Sequence, residues 1–337
     1  MTRRRSLLAA CTGLLPGACA QAPLDYLHGD GIQARSLAQL AWGLGIISLL
    51  VVFVIAVALI AAIVRRREAG GKHALAVRRD VGGMRWIYVG LAVSLPALLA
   101  MTVWTLLTIG AVAAPPTPPS LTIAVTGERW FWAVRYLDPH DPSGSFTTAN
   151  QIVIPTGQPV RLLLSSSDVI HSFWVPRLGG KMDMIPGKTN IHWIQADHPG
   201  LYRGQCAEFC GLQHAKMAFA VLAMTPADFA RWRALQLSND LRQPLPPATI
   251  EAGLRVFASH CAACHAIRGT GAGGIVGPDL SHFGARTTIA AGSLPNTRAN
   301  LAYWIGHTQQ VKPGAEMPPV ALTPRESSDL SALLEAL

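Results

Sequence analysis

Charge is what this sequence has least of: Asp, Glu, Lys and Arg together make up 14% of its 337 residues, while half are hydrophobic. Soluble domains average about 25% charged, so the deficit argues against a purely soluble enzyme and for membrane segments beside two modest domains. Internal repeats are absent, which excludes a repeat architecture. Cysteine is scarce, with six residues in all, and four of them fall in two short runs discussed below.

The scarcity of charge is local. From Ser36 to Val64 no charged residue occurs over 29 positions, long enough to cross a bilayer. A second uncharged stretch runs from Trp86 to about Ala114, and its Pro96 is tolerated in a membrane helix whose neighbours re-satisfy the freed backbone. The expectation is a transmembrane hairpin over 36–114, with helices at 36–64 and 86–111. Between them "RRREAGGKHALAVRRDVGGMR" carries seven Lys/Arg against Glu68 and Asp80, and the positive-inside rule places this loop in the cytoplasm. That loop supplies +5 of the net +9. The basic balance therefore reflects topology, and no nucleic acid partner is expected. Residues 1–20 read as a secretory signal. Two cuts compete there, after "ACA" at Ala20 or at a lipoprotein-like "LLPGAC" with Cys19 acylated.

Beyond Ala114 a stiff "PPTPP" leads into short β-type runs, "LTIAVTGERWFWAVRY", "NQIVIPTG", "PVRLLLSSS", "TNIHWIQAD" and "AFAVLAMT", which suggest a sandwich or barrel over 115–228. A helix-like stretch and "QPLPP" form a linker over 229–249. From there to the end, 250–337, the pattern is helical, with "IEAGLRVFASH", "NTRANLAYWIGH" and "TPRESSDLSALLEAL" as amphipathic candidates around a Gly-rich loop.

The run "YRGQCAEFCGLQHAKMAF" (202–219) concentrates Cys206, Glu208, Cys210, His214 and Met217. A disulfide is open to an exported domain, and zinc accepts two thiolates and an imidazole. A thioether, however, is a poor zinc ligand and a good copper one, and the mixture of thiolate, imidazole and methionine favours copper. Together with "HSFWVPRLGGKMDMIPG", this run resembles subunit II of the haem–copper cytochrome c oxidases, over the hairpin and on to about residue 235. The resemblance implies a cupredoxin-like β-sandwich with a binuclear CuA centre. Cys206 and Cys210 would bridge two coppers; His171 and Met217 would complete one, His214 and the Glu208 carbonyl the other. It also implies a magnesium ion on the Glu208 side chain at the interface with subunit I, and a role for Trp130 of "ERWFW" as the point where electrons enter. Without the resemblance an aromatic in a strand reads as core. Asp168, three residues before His171, is either a partner orienting that ring or an exposed turn residue. His140, His192 and His198 read as surface or structural.

A second signal is independent of the first. "CAACH" at 261–265 is the c-type haem attachment pattern, two thioethers from Cys261 and Cys264 and a proximal His265. Met317 is the sole methionine after residue 224 and the leading candidate for the sixth position, with His282 and His307 as substitutes. This part resembles an all-α class I cytochrome c, including "GPDL" at 277–280.

The two resemblances imply a multidomain membrane protein: subunit II of a terminal oxidase with a fused cytochrome c, in a bacterial inner membrane with both domains on the periplasmic face. Electrons from a periplasmic donor, such as cytochrome c or a cytochrome bc complex, would pass through covalent haem c and CuA to haem a and the haem–copper site of subunit I. Oxygen is reduced there, coupled to proton translocation, with subunit III as a further partner. No catalytic residue is expected in this chain. The alternative is the electron-input subunit of a CuA-containing nitric oxide reductase. A quinol oxidase would lack the copper ligands. The family's glutamate before the second helix has no match in "RRDVGGMRWIY", so proton uptake by that route is not expected here. Both extramembrane domains are charge-balanced, and a linker of roughly twenty residues would hold the haem near millimolar effective concentration.

Overall fold

The computed structural model describes residues 24–68 and 83–337. The leader over 1–20 with its two cleavage readings, and the basic loop between the apolar helices from Ala69 through Gly82, lie outside the described residues. Two long apolar helices come first, α1 (Ile32–Glu68) and α2 (Gly83–Ala113). Both extend past the uncharged windows. At 37 residues, α1 rises roughly 55 Å at 1.5 Å per residue, well beyond a hydrocarbon core of about 30 Å. Its first turns are instead held against the next domain. Ala34 and Ala38 are buried, Gln33 Nε2 donates to the Trp193 carbonyl at 3.0 Å, and Arg35 pairs with Asp197. The end of α2 is tied in the same place, where Trp193 Nε1 donates to the Val112 carbonyl at 3.0 Å. Pro96 sits inside α2 without interrupting it.

Ten strands form the second unit: β1 (Leu121–Glu128), β2 (Phe131–Leu137), β3 (Phe146–Ala149), β4 (Gln151–Pro155), β5 (Val160–Ser166), β6 (His171–Trp174), β7 (Met182–Met184), β8 (Asn190–Ile194), β9 (Gly200–Cys206) and β10 (Ala218–Met224). They make two five-stranded sheets, ordered β3-β2-β1-β5-β8 and β4-β10-β9-β6-β7. Alternation drives the packing: Ile123, Val125, Trp132, Val134, Leu162 and Leu164 of one sheet face Ile152, Ile154, Phe173 and Val221 of the other, all nearly or fully buried. The single run "LTIAVTGERWFWAVRY" is a hairpin, not one strand. Glu128 pairs with Phe131, and the intervening Arg129 N–H is taken by the Asp168 carboxylate at 2.7 Å.

Helix α3 (Pro226–Leu237) occupies what the sequence suggested was the start of a linker. Its Phe229 is buried and its Trp232 packs edge-on to Tyr136 and Phe146, so the helix belongs to the sandwich. The extended connection is correspondingly shorter. The third unit comprises α4 (Pro247–His260), the two-residue strands β11 (Thr288–Ile289) and β12 (Leu294–Pro295), α5 (Arg298–Gly306), α6 (Thr308–Val311) and α7 (Pro324–Ala336). Apolar positions at helical spacing, Val256 and Phe257 on α4 and Leu330, Leu333 and Leu334 on α7, form its core. A capping box of Thr323 and Glu326 starts α7. The small β11–β12 pair is the one departure from an all-α unit.

Candidate metal centre and haem cleft

The loop between β9 and β10 folds its ligand-type side chains into one cluster. Cys206 Sγ lies 3.8 Å from Cys210 Sγ, and Cys210 Sγ lies 3.7 Å from His214 Nδ1 and 3.8 Å from Met217 Sδ. From β6, His171 Nδ1 approaches Cys206 Sγ at 3.9 Å, and the Glu208 carbonyl is 3.2 Å from the same sulfur. All the residues that the resemblance assigns to a copper pair are therefore assembled, and Glu208 contributes through its backbone. The thiols are free, with sulfurs almost twice as far apart as a disulfide bond of about 2.05 Å. Two thiolates, two imidazoles, a thioether and a carbonyl fit copper better than zinc.

The electrostatics set the two thiols apart. The contact with Cys210 holds the Cys206 thiol well below its ordinary value, helped by His171 and by the backbone at Ser172 and outweighing burial. Cys210, buried beside that thiol, is pushed up in turn by the Cys206 contact and by burial. Asp168 is no idle turn residue: its Oδ1 meets His171 Nε2 at 2.8 Å. Burial opposes ionisation of Asp168, yet the His171 bond and the Val169 and Arg129 N–H groups keep its carboxyl below the usual range. The tautomer this selects leaves Nδ1 facing the sulfur. Gly127 completes the fit, because a Cβ there would come within 2.8 Å of the His171 ring.

A second site lies in the helical unit. Cys261, Cys264 and His265 line a cleft whose walls are chiefly apolar, including Phe257, Leu301, Trp304, Ile305 and Met317. His265 Nδ1 donates to the Pro278 carbonyl at 2.7 Å, which leaves Nε2 free for a metal, and burial lowers its pKa toward the neutral imidazole a metal requires. The adjoining Gly277 has no room for a side chain: a Cβ would sit 2.5 Å from the His265 ring. "GPDL" thus supplies both the carbonyl and the clearance. Met317 lines the cleft, whereas His282 and His307 are absent from its walls; the His307 ring stacks on Tyr303 instead.

Two cleft residues, Arg286 and Lys312, escaped the sequence reading. Arg286, 8% exposed, borders the cleft with an Nε that has no partner, and an orphaned buried donor fits the anionic edge of a bound group. Trp130 joins the two sites, since its residue lines the haem cleft while its Nε1–H donates to the Cys210 carbonyl at 3.0 Å. His140 and His198 are outside both sites. His192 is buried against Phe173, where burial pushes its pKa down to about 4.

Comparison with known proteins agrees with this division. Residues 141–224 match the family described as cytochrome c oxidase subunit II, periplasmic domain, and residues 250–337 match the cytochrome c family. The sandwich is similar to that subunit II domain, and the helical unit to cytochrome c. Cytochrome c oxidase subunit 2 of Alkalihalophilus pseudofirmus is 38% identical over 216 residues, covering 64% of this chain and 60% of that one. The same subunit of a Bacillus species is 31% identical over 207 residues, covering 59% and 56%. The matched region thus spans a little over half the length of these relatives. The solved periplasmic domain of cytochrome oxidase subunit II from Bradyrhizobium japonicum is 32% identical, covering 36% of this chain and 95% of that domain, with a TM-score of 0.33.

If Asp168 orients His171 as the geometry shows, Asp168→Asn should lower copper affinity about 10- to 100-fold. A copper competition titration measures this. Unchanged affinity would return Asp168 to the role of a turn residue.

Proposed function

We propose that this chain is the electron-accepting subunit of a terminal cytochrome c oxidase in a bacterial inner membrane, with α1 and α2 as its two membrane crossings and both folded domains on the periplasmic face. Cys206, Cys210, His171, His214, Met217 and the Glu208 carbonyl would hold a binuclear copper centre. Cys261 and Cys264 would attach a c-type haem, His265 and Met317 would ligate its iron, and Arg286 would answer its negative charge. When bound, these groups supply one-electron carriers; the chain's residues supply ligands, a dry cleft and a fixed separation. Trp130 would carry electrons between the two sites toward haem a of subunit I, where oxygen reduction is coupled to proton translocation. The Glu208 carboxylate is assigned to a magnesium ion at the subunit I interface, with subunit III and a periplasmic donor as further partners.

The single observation that carries this reading is the contact of Trp130 with both sites. The test is the identity of the non-covalent haems that purify with the chain, together with oxygen uptake driven by cytochrome c. Haem a with oxygen uptake supports the oxidase. A complex with haem b alone that consumes nitric oxide would replace it with the reductase alternative.

The seam between the domains adds a prediction. Gln213 Nε2 donates to the Pro313 carbonyl at 2.7 Å, Lys216 Nζ to the Val311 carbonyl at 2.6 Å, and the Ala218 N–H to the Ala291 carbonyl at 3.0 Å. Among the described residues no ion pair crosses this seam. The domains dock directly, which is a closer association than the flexible tether expected from the sequence. Because salt screens charges and leaves such hydrogen bonds largely alone, haem-to-copper transfer should be nearly independent of ionic strength. A steep fall across a salt series in flash photolysis would contradict it.

A further inference from the structure

Lys312, just past the end of α6, is 3% exposed. Nothing acidic but the Cys210 thiol bears on its charge, and burial pushes its amine down to about 7. Its Nζ crosses from the cytochrome domain to the sandwich and donates to the Trp130 carbonyl at 2.6 Å. Burying an amine is costly unless a partner compensates it, and docking alone does not require it. The exposed Lys216 makes the same kind of carbonyl contact across the same seam without burial. What distinguishes Lys312 is its target. Trp130 is held at its ring nitrogen by Cys210 and at its carbonyl by Lys312, and both residues line the cleft that contains His265.

We propose that Lys312 is a positioning residue for electron transfer between the two sites, holding the Trp130 main chain from the haem side so that the indole stays in contact with both. The step moves one electron, oxidising the haem and reducing the copper pair by one equivalent, with no bond made or broken. Lys312 serves as a donor whether the amine is charged or neutral. The inference rests on Trp130 as the electron path, and the test keeps the two apart.

In the assembled oxidase, Lys312→Met removes the donor while conserving length. A misplacement of about 1 Å in a reacting geometry costs up to about 100-fold, and an internal transfer rate lower by roughly tenfold is expected here, with haem content, copper content and both midpoint potentials unchanged. Trp130→Phe should slow transfer by itself, and in its background Lys312→Met should add nothing, the signature of two residues acting through one interaction. A wild-type rate in Lys312→Met, an additive loss in the double variant, or a change in potential large enough to explain the rate would each overturn the role of Lys312 while leaving Trp130 in place. A wild-type rate in Trp130→Phe would overturn the path itself, and Lys312's role with it. Should the methionine variant not assemble, Lys312→Leu, which also removes the donor, is judged by the same criteria.

Discussion

Replacing Cys206 or Cys210 by Ser is expected to abolish the binuclear copper centre, with its visible thiolate bands, and to stop electron flow to oxygen. The two sulfurs are the shared members of the cluster: each stands within 3.9 Å of an imidazole nitrogen, and they lie 3.8 Å from each other. A hydroxyl is harder and far less acidic than a thiol, so it cannot serve as a bridging soft anion. Changes in groups that only orient a ligand already cost about 10- to 100-fold in affinity, and loss of a bridging ligand should exceed that. Haem attachment should survive, because Cys261 and Cys264 belong to a separate domain. Metal analysis and visible spectra of the purified chain decide the matter. One copper per chain in the wild type, or undiminished colour in either variant, would contradict the assignment.

Met317→Ala should leave the haem covalently attached yet lower its potential and open the sixth position to carbon monoxide. Attachment would depend on Cys261 and Cys264, proximal ligation on His265 with its 2.7 Å bond to Pro278, and neither would involve Met317. A thioether opposite histidine raises the potential of a c-type haem, so its removal lowers it. The structure narrows the substitutes, since neither His282 nor His307 lines the cleft. A ferrous variant that keeps the wild-type potential and refuses carbon monoxide would mean that another side chain supplies the sixth ligand.

Chemistry carried by residues close in sequence was legible. Cys206, Cys210, His214 and Met217 fall within twelve positions, as do the members of "CAACH", and α4 and α7 announce themselves by helical spacing of Val256, Phe257, Leu330, Leu333 and Leu334. His171 came into the copper site only through resemblance, because the pairing of β6 with β9 that brings it there is a long-range event. Strands β6 and β9 were hidden for a related reason. His171 and Ser172 are polar yet fully buried, while β9 mixes Gly200, Arg203 and Gly204 into its alternation, so neither displays an apolar stripe. The stretch of α3 reads as helix-like but groups with the linker in sequence, because its hydrophobic side is small and depends on Tyr136 and Phe146 to receive Trp232. Arg286 and Lys312 look like surface cations in one dimension, yet Arg286 is buried within the helical unit beside Phe283 and Lys312 is buried at the seam, where it reaches Trp130.

The account's central claim is that one chain carries an electron internally from its haem to its copper pair, and the most direct test is time-resolved. After photoreduction of the haem in the isolated chain, haem reoxidation and copper reduction should share one rate constant that does not change with protein concentration. A haem that stays reduced, or a transfer whose rate rises in proportion to concentration, would contradict it.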